Sequence, residues 1–65
     1  MTKTINNSTL ISQIDYNQGN LTIHFKNGRS ARYANVPETV VNGLLEADSA
    51  GRYFNREIRN TFAVV

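Results

Sequence analysis

Sixty-five residues without a single cysteine carry seven Lys and Arg against five Asp and Glu, a net charge of +2. A chain this short makes one domain, and a domain of about 60 residues buries only ~60% of the surface its unfolded chain exposes, so its core must be economical or be completed by a partner. The lack of cysteine excludes a disulfide framework, a thiolate zinc site and a thiol nucleophile, and one histidine, His24, is too few for a histidine metal cluster; neither metal nor cofactor is expected.

Residues 1–9 are polar apart from Met1 and Ile5, the composition of a flexible leader. They hold no apolar run of the signal-peptide type, and no stretch approaches the ~18 apolar residues that span a bilayer, so a soluble, cytoplasmic protein is expected. Asn7-Ser8-Thr9 and Asn20-Leu21-Thr22 match glycosylation acceptors, but without a secretory signal they read as polar turn chemistry. From Leu10, three segments rich in β-branched and aromatic residues, at about 10–16, 21–25 and 29–34, are divided by Asn and Gly. They predict a three-stranded antiparallel meander.

Its register follows from placing the apolar side chains on one face, because a slip of one residue inverts a strand. A four-residue loop, Asn17–Asn20, sets Tyr16 opposite Leu21, Ile14 opposite Ile23 and Ser12 opposite Phe25. A three-residue loop, Lys26-Asn27-Gly28, with Gly28 in the left-handed conformation, sets Phe25 opposite Arg29, Ile23 opposite Ala31 and Leu21 opposite Tyr33. One face then carries Leu10, Ile14, Leu21, Ile23, Phe25 and Tyr33. The other carries Asp15, Thr22, His24, Ser30 and Arg32, with Ile11 the exception.

Asn35 followed three residues later by Glu38 matches a capping box with Pro37 in the first turn, and predicts a helix over about 36–46. Val36, Val40, Val41, Leu44 and Leu45 recur there at helical spacing. Gly43 costs roughly 1 kcal/mol relative to Ala in such a helix, which points to the close approach of another backbone. Asp48 or Ser49 caps a second helix over about 50–60, with Phe54 and Ile58 on its apolar side and Phe62 just beyond. Residues 63–65 fit a packed tail or an edge strand equally well. The fold class is therefore α+β, a single domain over 10–62 whose two short helices cover one face of the meander.

Charge is distributed unevenly. Residues 1–48 hold Lys3, Lys26, Arg29 and Arg32 against Asp15, Glu38, Glu46 and Asp48, whereas residues 49–65 hold Arg52, Arg56 and Arg59 against Glu57 alone. The whole excess sits in the second helix. At i, i+4 and i+7 these three arginines share a face beside Tyr53 and away from Phe54 and Ile58. Guanidiniums hold phosphates bidentately and an aromatic ring stacks on an unpaired base, the combination that RNA or single-stranded nucleic acid requires. The same stripe also describes an ordinary solvated helix face, and the arginines can pair with Glu46, Asp48 or Glu57. Three arginines neutralise about 3 phosphates, a shallow salt slope unless Lys26, Arg29, Arg32 or a second subunit adds to them. His24, Asp15 and Ser30 fall on one sheet face, but so short a domain has little room for the cleft that nucleophilic catalysis needs. No catalytic residue is assigned and no enzymatic activity is expected.

The succession Lys26-Asn27-Gly28-Arg29, Arg32-Tyr33, Val36-Pro37 and Ser49-Ala50-Gly51-Arg52-Tyr53-Phe54-Asn55, closed by Ile58-Arg59, resembles the KTSC domain over roughly residues 8–62. That family takes its name from a region at the C-terminus of some lysyl-tRNA synthetases and also occurs as small stand-alone bacterial or phage proteins. It tends to show Tyr-x-Tyr in the third strand where this chain has Ala31-Arg32-Tyr33, so a role for the first tyrosine does not carry over. The resemblance implies RNA binding, from the attachment to a synthetase. It also places Ser49 as a cap, puts Gly51 at an anion-accessible helix start beside Arg52, and gives Asn55 either a base edge or a tie to the Val36-Pro37 turn. Two functions follow. The first is a module that binds RNA or single-stranded nucleic acid through Arg52, Arg56 and Arg59, helped by Tyr53, Arg32, Arg29 and Asn55. The alternative is a phage or prophage protein-interaction module that binds a host protein and inhibits or redirects it.

Overall fold

Alternating apolar side chains between residues 11 and 33 need a cover on one face, and the apolar stripe of the second half provides it. The computed structural model describes residues 1–65 as β1 (Thr2–Thr4), β2 (Ile11–Asn17), β3 (Asn20–Phe25), β4 (Ser30–Tyr33), α1 (Glu38–Glu46) and α2 (Ala50–Tyr53), which runs on as a π-helical turn over Phe54–Ile58. The class is α+β, an antiparallel sheet in the order β1-β2-β3-β4 with two short helices. The sheet has four strands rather than three.

The fourth strand comes from the expected leader. Thr2 pairs with Asp15, Lys3 with Ile14 and Thr4 with Gln13, and the Ile5 amide donates to the Ser12 carbonyl at 2.9 Å. All three strand residues are exposed, so no apolar alternation marks them; the β2 edge supplies the hydrogen bonds, and Ile5, only 7% exposed, anchors the segment in the core. Ser8 completes the attachment. Its buried Oγ accepts from the amides of Leu10 and Ile11, each at 3.0 Å. Ser8→Ala strands both donors and is expected to lower stability by about 1–2 kcal/mol, read as a fall in the urea midpoint at unchanged slope.

The β2–β3 ladder keeps Tyr16 opposite Leu21 and Ile14 opposite Ile23, as the pattern requires. Two details correct it. Asn17 pairs with Asn20, so the loop has two residues instead of four, and Gln18 (φ 51°) and Gly19 (φ 85°) are both left-handed, as a type I′ turn demands. Phe25 stands opposite Ile11 instead of Ser12, because a bulge lies between Ile11 and Gln13. The extra residue rotates the strand, so Ile11 and Ile14, three positions apart, are both fully buried. The exception is Leu10, not Ile11: it lies 38% exposed outside the core. The second hairpin is as expected, with Gly28 at φ 89°, the Phe25 amide on the Arg29 carbonyl at 2.8 Å, Ile23 opposite Ala31 and Leu21 opposite Tyr33.

Helix α1 starts at Glu38, and the capping box is not formed. Asn35 is left-handed (φ 57°), Pro37 stands at the N-cap, and no side chain caps the helix. The Val36 amide donates to the Gly19 carbonyl at 2.9 Å and the Tyr16 hydroxyl donates to the Val36 carbonyl at 2.6 Å, which ties the linker to the first hairpin and overrides the local signal. Val41 and Leu44 of α1 then meet Ala50, Phe54 and Ile58 over the isoleucines of the sheet in one buried cluster. At Gly43 the close neighbour is a side chain instead of a backbone. An added Cβ would overlap the Tyr53 hydroxyl and lie 2.8 Å from its Cζ, while that hydroxyl donates to the Val40 carbonyl at 3.0 Å.

Residues 63–65 take the edge-strand option. Val64 bridges Tyr33, the Ala34 amide donates to Ala63 at 3.0 Å and the Val65 amide to Arg32 at 2.9 Å. No helix is long and apolar enough to cross a membrane.

Candidate nucleic-acid interface

Ser49 caps the second helix as expected, its Oγ accepting from the Arg52 amide at 3.3 Å. One turn later the hydrogen-bond ladder widens: the Arg59 amide donates to the carbonyl of Phe54, five residues back, at 2.9 Å. A shared face at i, i+4 and i+7 presupposes the 3.6-residue turn of an α-helix. The wider π turn rotates Arg59 away from Arg52 and Arg56, while Arg59 keeps its i, i+4 neighbour Asn55, whose Oδ1 lies 3.5 Å from Arg59 Nη1. The three arginines therefore do not line one face. Arg52 and Arg56 border a concavity shared with Tyr53, Glu46 and Asp48, while Arg59 borders another with Asn55 and Arg29.

The predicted residues differ in how far they are engaged. Arg56 donates through Nε to Glu57 at 2.9 Å and sits 6.0 Å from the centroid of the Tyr53 ring. Tyr53 is half-buried with its hydroxyl on Val40, and burial pushes its pKa up. Its ring serves the helix packing and Arg56, so the expected stacking platform is already occupied. Arg29, Arg32, Arg52 and Arg59 form no ion pair. Arg32 stands on the polar sheet face opposite Thr22, in a depression with Asp15 and His24.

On that face Asp15 accepts from the Thr2 hydroxyl at 2.5 Å and lies 2.7 Å from His24 Nε2. Ser30 stands opposite His24 in the ladder, without a hydrogen bond to it. The Thr2 bond, and after it the His24 bond, hold the Asp15 carboxyl below its usual range. Because the folded-state pKa is the lower one, the stabilisation is complete above the ordinary value of 3.8 and is lost as pH falls beneath it. Asp15→Asn is therefore expected to flatten the acid limb of the melting-temperature profile below about pH 4 while leaving its slope near neutrality unchanged.

Arg29, Asn55 and Arg59 meet across a groove of about 370 Å³ floored by Leu10, Phe25 and Phe54. Three backbone features assemble it: the β2 bulge that leaves Leu10 outside the core, the left-handed Gly28 that delivers Arg29, and the π turn that delivers Arg59. Phe54 packs edge-on against Phe25 (centroids 5.6 Å, 68°) and Tyr33 (5.8 Å, 69°). Burial raises the pKa of the Tyr33 hydroxyl, and the positive charge of Arg59 opposes that rise. Past Leu10 and Asn55 the surface continues into a depression bordered by Gly51 and Arg52. No carboxylate lines either stretch. Strand alternation predicts both Leu10 and Phe25 on the core face; Phe25 packs against the core, half-buried, and Leu10 lies outside it.

The KTSC domain family matches residues 7–62. An uncharacterized protein of Stutzerimonas stutzeri (strain A1501) is 50% identical over 42 residues, 65% of this chain, and the match spans 59% of that protein's length. The crystal structure of a KTSC domain protein from Yersinia pestis is similar with a TM-score of 0.89 and 27% identity, over 100% of this chain and 93% of that one. Strands β2 to β4, the Lys26–Arg29 turn and the Ser49-capped helix thus lie inside the match over residues 7–62, and the chain belongs to the KTSC domain family.

Proposed function

We propose that this domain is a non-enzymatic module that binds RNA or single-stranded nucleic acid in the cytoplasm, along the band formed by Arg52, Asn55, Arg59 and Arg29. The observation that carries this reading is the absence of any carboxylate along a band that holds three guanidiniums without ion-pair partners. Such guanidiniums take phosphate oxygens bidentately, and none of the three is held in an ion pair. Arg56, held by Glu57, and Arg32, beside Asp15, are second in rank.

A salt titration tests the reading. Three phosphate contacts with a single strand give a slope of log K against log salt of about −2. With a labelled twelve-nucleotide RNA, fluorescence anisotropy is expected to show that slope, and Arg29→Ala with Arg59→Ala is expected to reduce it to about −0.7 and weaken binding at low salt by about tenfold or more. Absence of binding at low salt, or binding that the double variant leaves intact, overturns it.

A further inference from the structure

We infer that the groove between the β3–β4 turn and the π turn takes one unpaired nucleobase, with its flanking phosphates on Arg29 and Arg59; this rests on the nucleic-acid reading above and adds the base to it. Arginines by themselves recognise a polyanion, and a polyanion has no use for an apolar floor. Here the floor is apolar and partly open to water, with Leu10 38% exposed and Phe25 half-buried. A base has two apolar π faces and stacks on such a surface whatever its identity. The groove's volume of about 370 Å³ lies at the small end of the range that small ligands fill, room for one planar group and not several.

The floor is also rigid. Phe54, 4% exposed, is wedged edge-on between Phe25 and Tyr33, so the Phe25 ring is held in place from below. On one rim, Asn27 Oδ1 accepts from the Arg29 amide at 2.9 Å and steadies the turn that carries Arg29. On the other, Arg59 and the exposed carboxamide of Asn55 stand together as i, i+4 neighbours. The π turn takes Arg59 out of line with Arg52 and Arg56, and Arg59 borders the groove with Arg29. Two charges set either side of an aromatic floor match a nucleotide with a phosphate on each side of its base.

The test compares the twelve-nucleotide RNA with an oligomer of the same length and backbone from which every base has been removed, by competition at one salt concentration. The abasic oligomer is expected to bind about 5- to 100-fold more weakly. Leu10→Ala, outside the core, is expected to weaken RNA binding several-fold and leave the abasic oligomer unaffected, so that the ratio of the two affinities falls. Phe25→Leu, which keeps the apolar volume and removes the π face, is expected to lower the same ratio, and a loss of folding would weaken both ligands alike. Equal affinity for RNA and abasic oligomer, or a ratio that neither variant moves, overturns the base groove while leaving the phosphate band standing. Failure of both ligands to bind at low salt overturns the band as well.

Discussion

Phe54→Ala is expected to remove about 3–5 kcal/mol of this protein's folding stability at room temperature, from about a third of it to all of it. Truncating a buried Phe costs about 3–5 kcal/mol, through lost transfer energy and the cavity left behind. A 65-residue domain has a total stability of only roughly 3–10 kcal/mol at the usual 0.05–0.15 kcal/mol per residue. Phe54 is placed to sit at the high end of that cost: it is 4% exposed and touches aromatic rings on two strands. Its carbonyl also accepts the Arg59 amide, so a hole beneath the π turn loosens the residue that brings Arg59 to the groove. Ile58→Val, at a fully buried neighbour, supplies the control, because removing one methylene costs about 0.5–1.5 kcal/mol and should leave a cooperative transition. Urea unfolding followed by far-UV circular dichroism reads both. A Phe54→Ala protein with a sharp transition close to the wild-type midpoint would refute the assignment of Phe54 as the keystone of the core.

Gly43→Ala is expected to destabilise the native protein by about 1–3 kcal/mol even though alanine is the better helix former. Helix propensity favours the substitution by about 1 kcal/mol. Against it, the new methyl overlaps the Tyr53 hydroxyl and crowds its Cζ. The ring must swing out, which loses its bond to the Val40 carbonyl, worth about 0.5–1.5 kcal/mol, and disturbs packing by about 1–3 kcal/mol. The sign reverses once the ring is gone: in a Tyr53→Ala background, Gly43→Ala should stabilise by about 1 kcal/mol. The double-mutant cycle should thus return a coupling of about 2–4 kcal/mol between two residues ten apart in the chain. Gly43→Ala that stabilises the wild-type protein would show that Tyr53 leaves at no cost.

How far the sequence reaches is seen best in the strands. The pairing of Ile14 with Ile23, Tyr16 with Leu21 and Leu21 with Tyr33 was legible because one buried face and a period of two leave a single register. The left-handed Gly28 was legible for a local reason, since glycine adopts that conformation without steric cost. By contrast β1 carries no pattern of its own: three exposed residues join the sheet because the edge of β2 offers them partners. The capping box at Asn35 was a sound local signal that lost to two hydrogen bonds from the first hairpin, one of them made by a hydroxyl nineteen residues upstream, on Tyr16.

The same division runs through the candidate site. Residue types were readable: arginines in excess over carboxylates in the last seventeen residues, with an aromatic and an asparagine among them. Their grouping was not, because it depends on two irregularities of backbone, the β2 bulge and the π turn, and neither has a residue type that demands it. By itself the sequence determined the fold class, the central register, a helix cap at Asp48 or Ser49 and the chemistry available, all set by periodicity and by the conformational preferences of single residues. Only the tertiary structure decided which arginines stand together and what lies beneath them. Burying Ile11 with Ile14 in one core shifts the β2 backbone by a residue and leaves Leu10 outside it, and the π turn over Phe54–Ile58 takes Arg59 out of line with Arg52 and Arg56, onto the groove with Arg29.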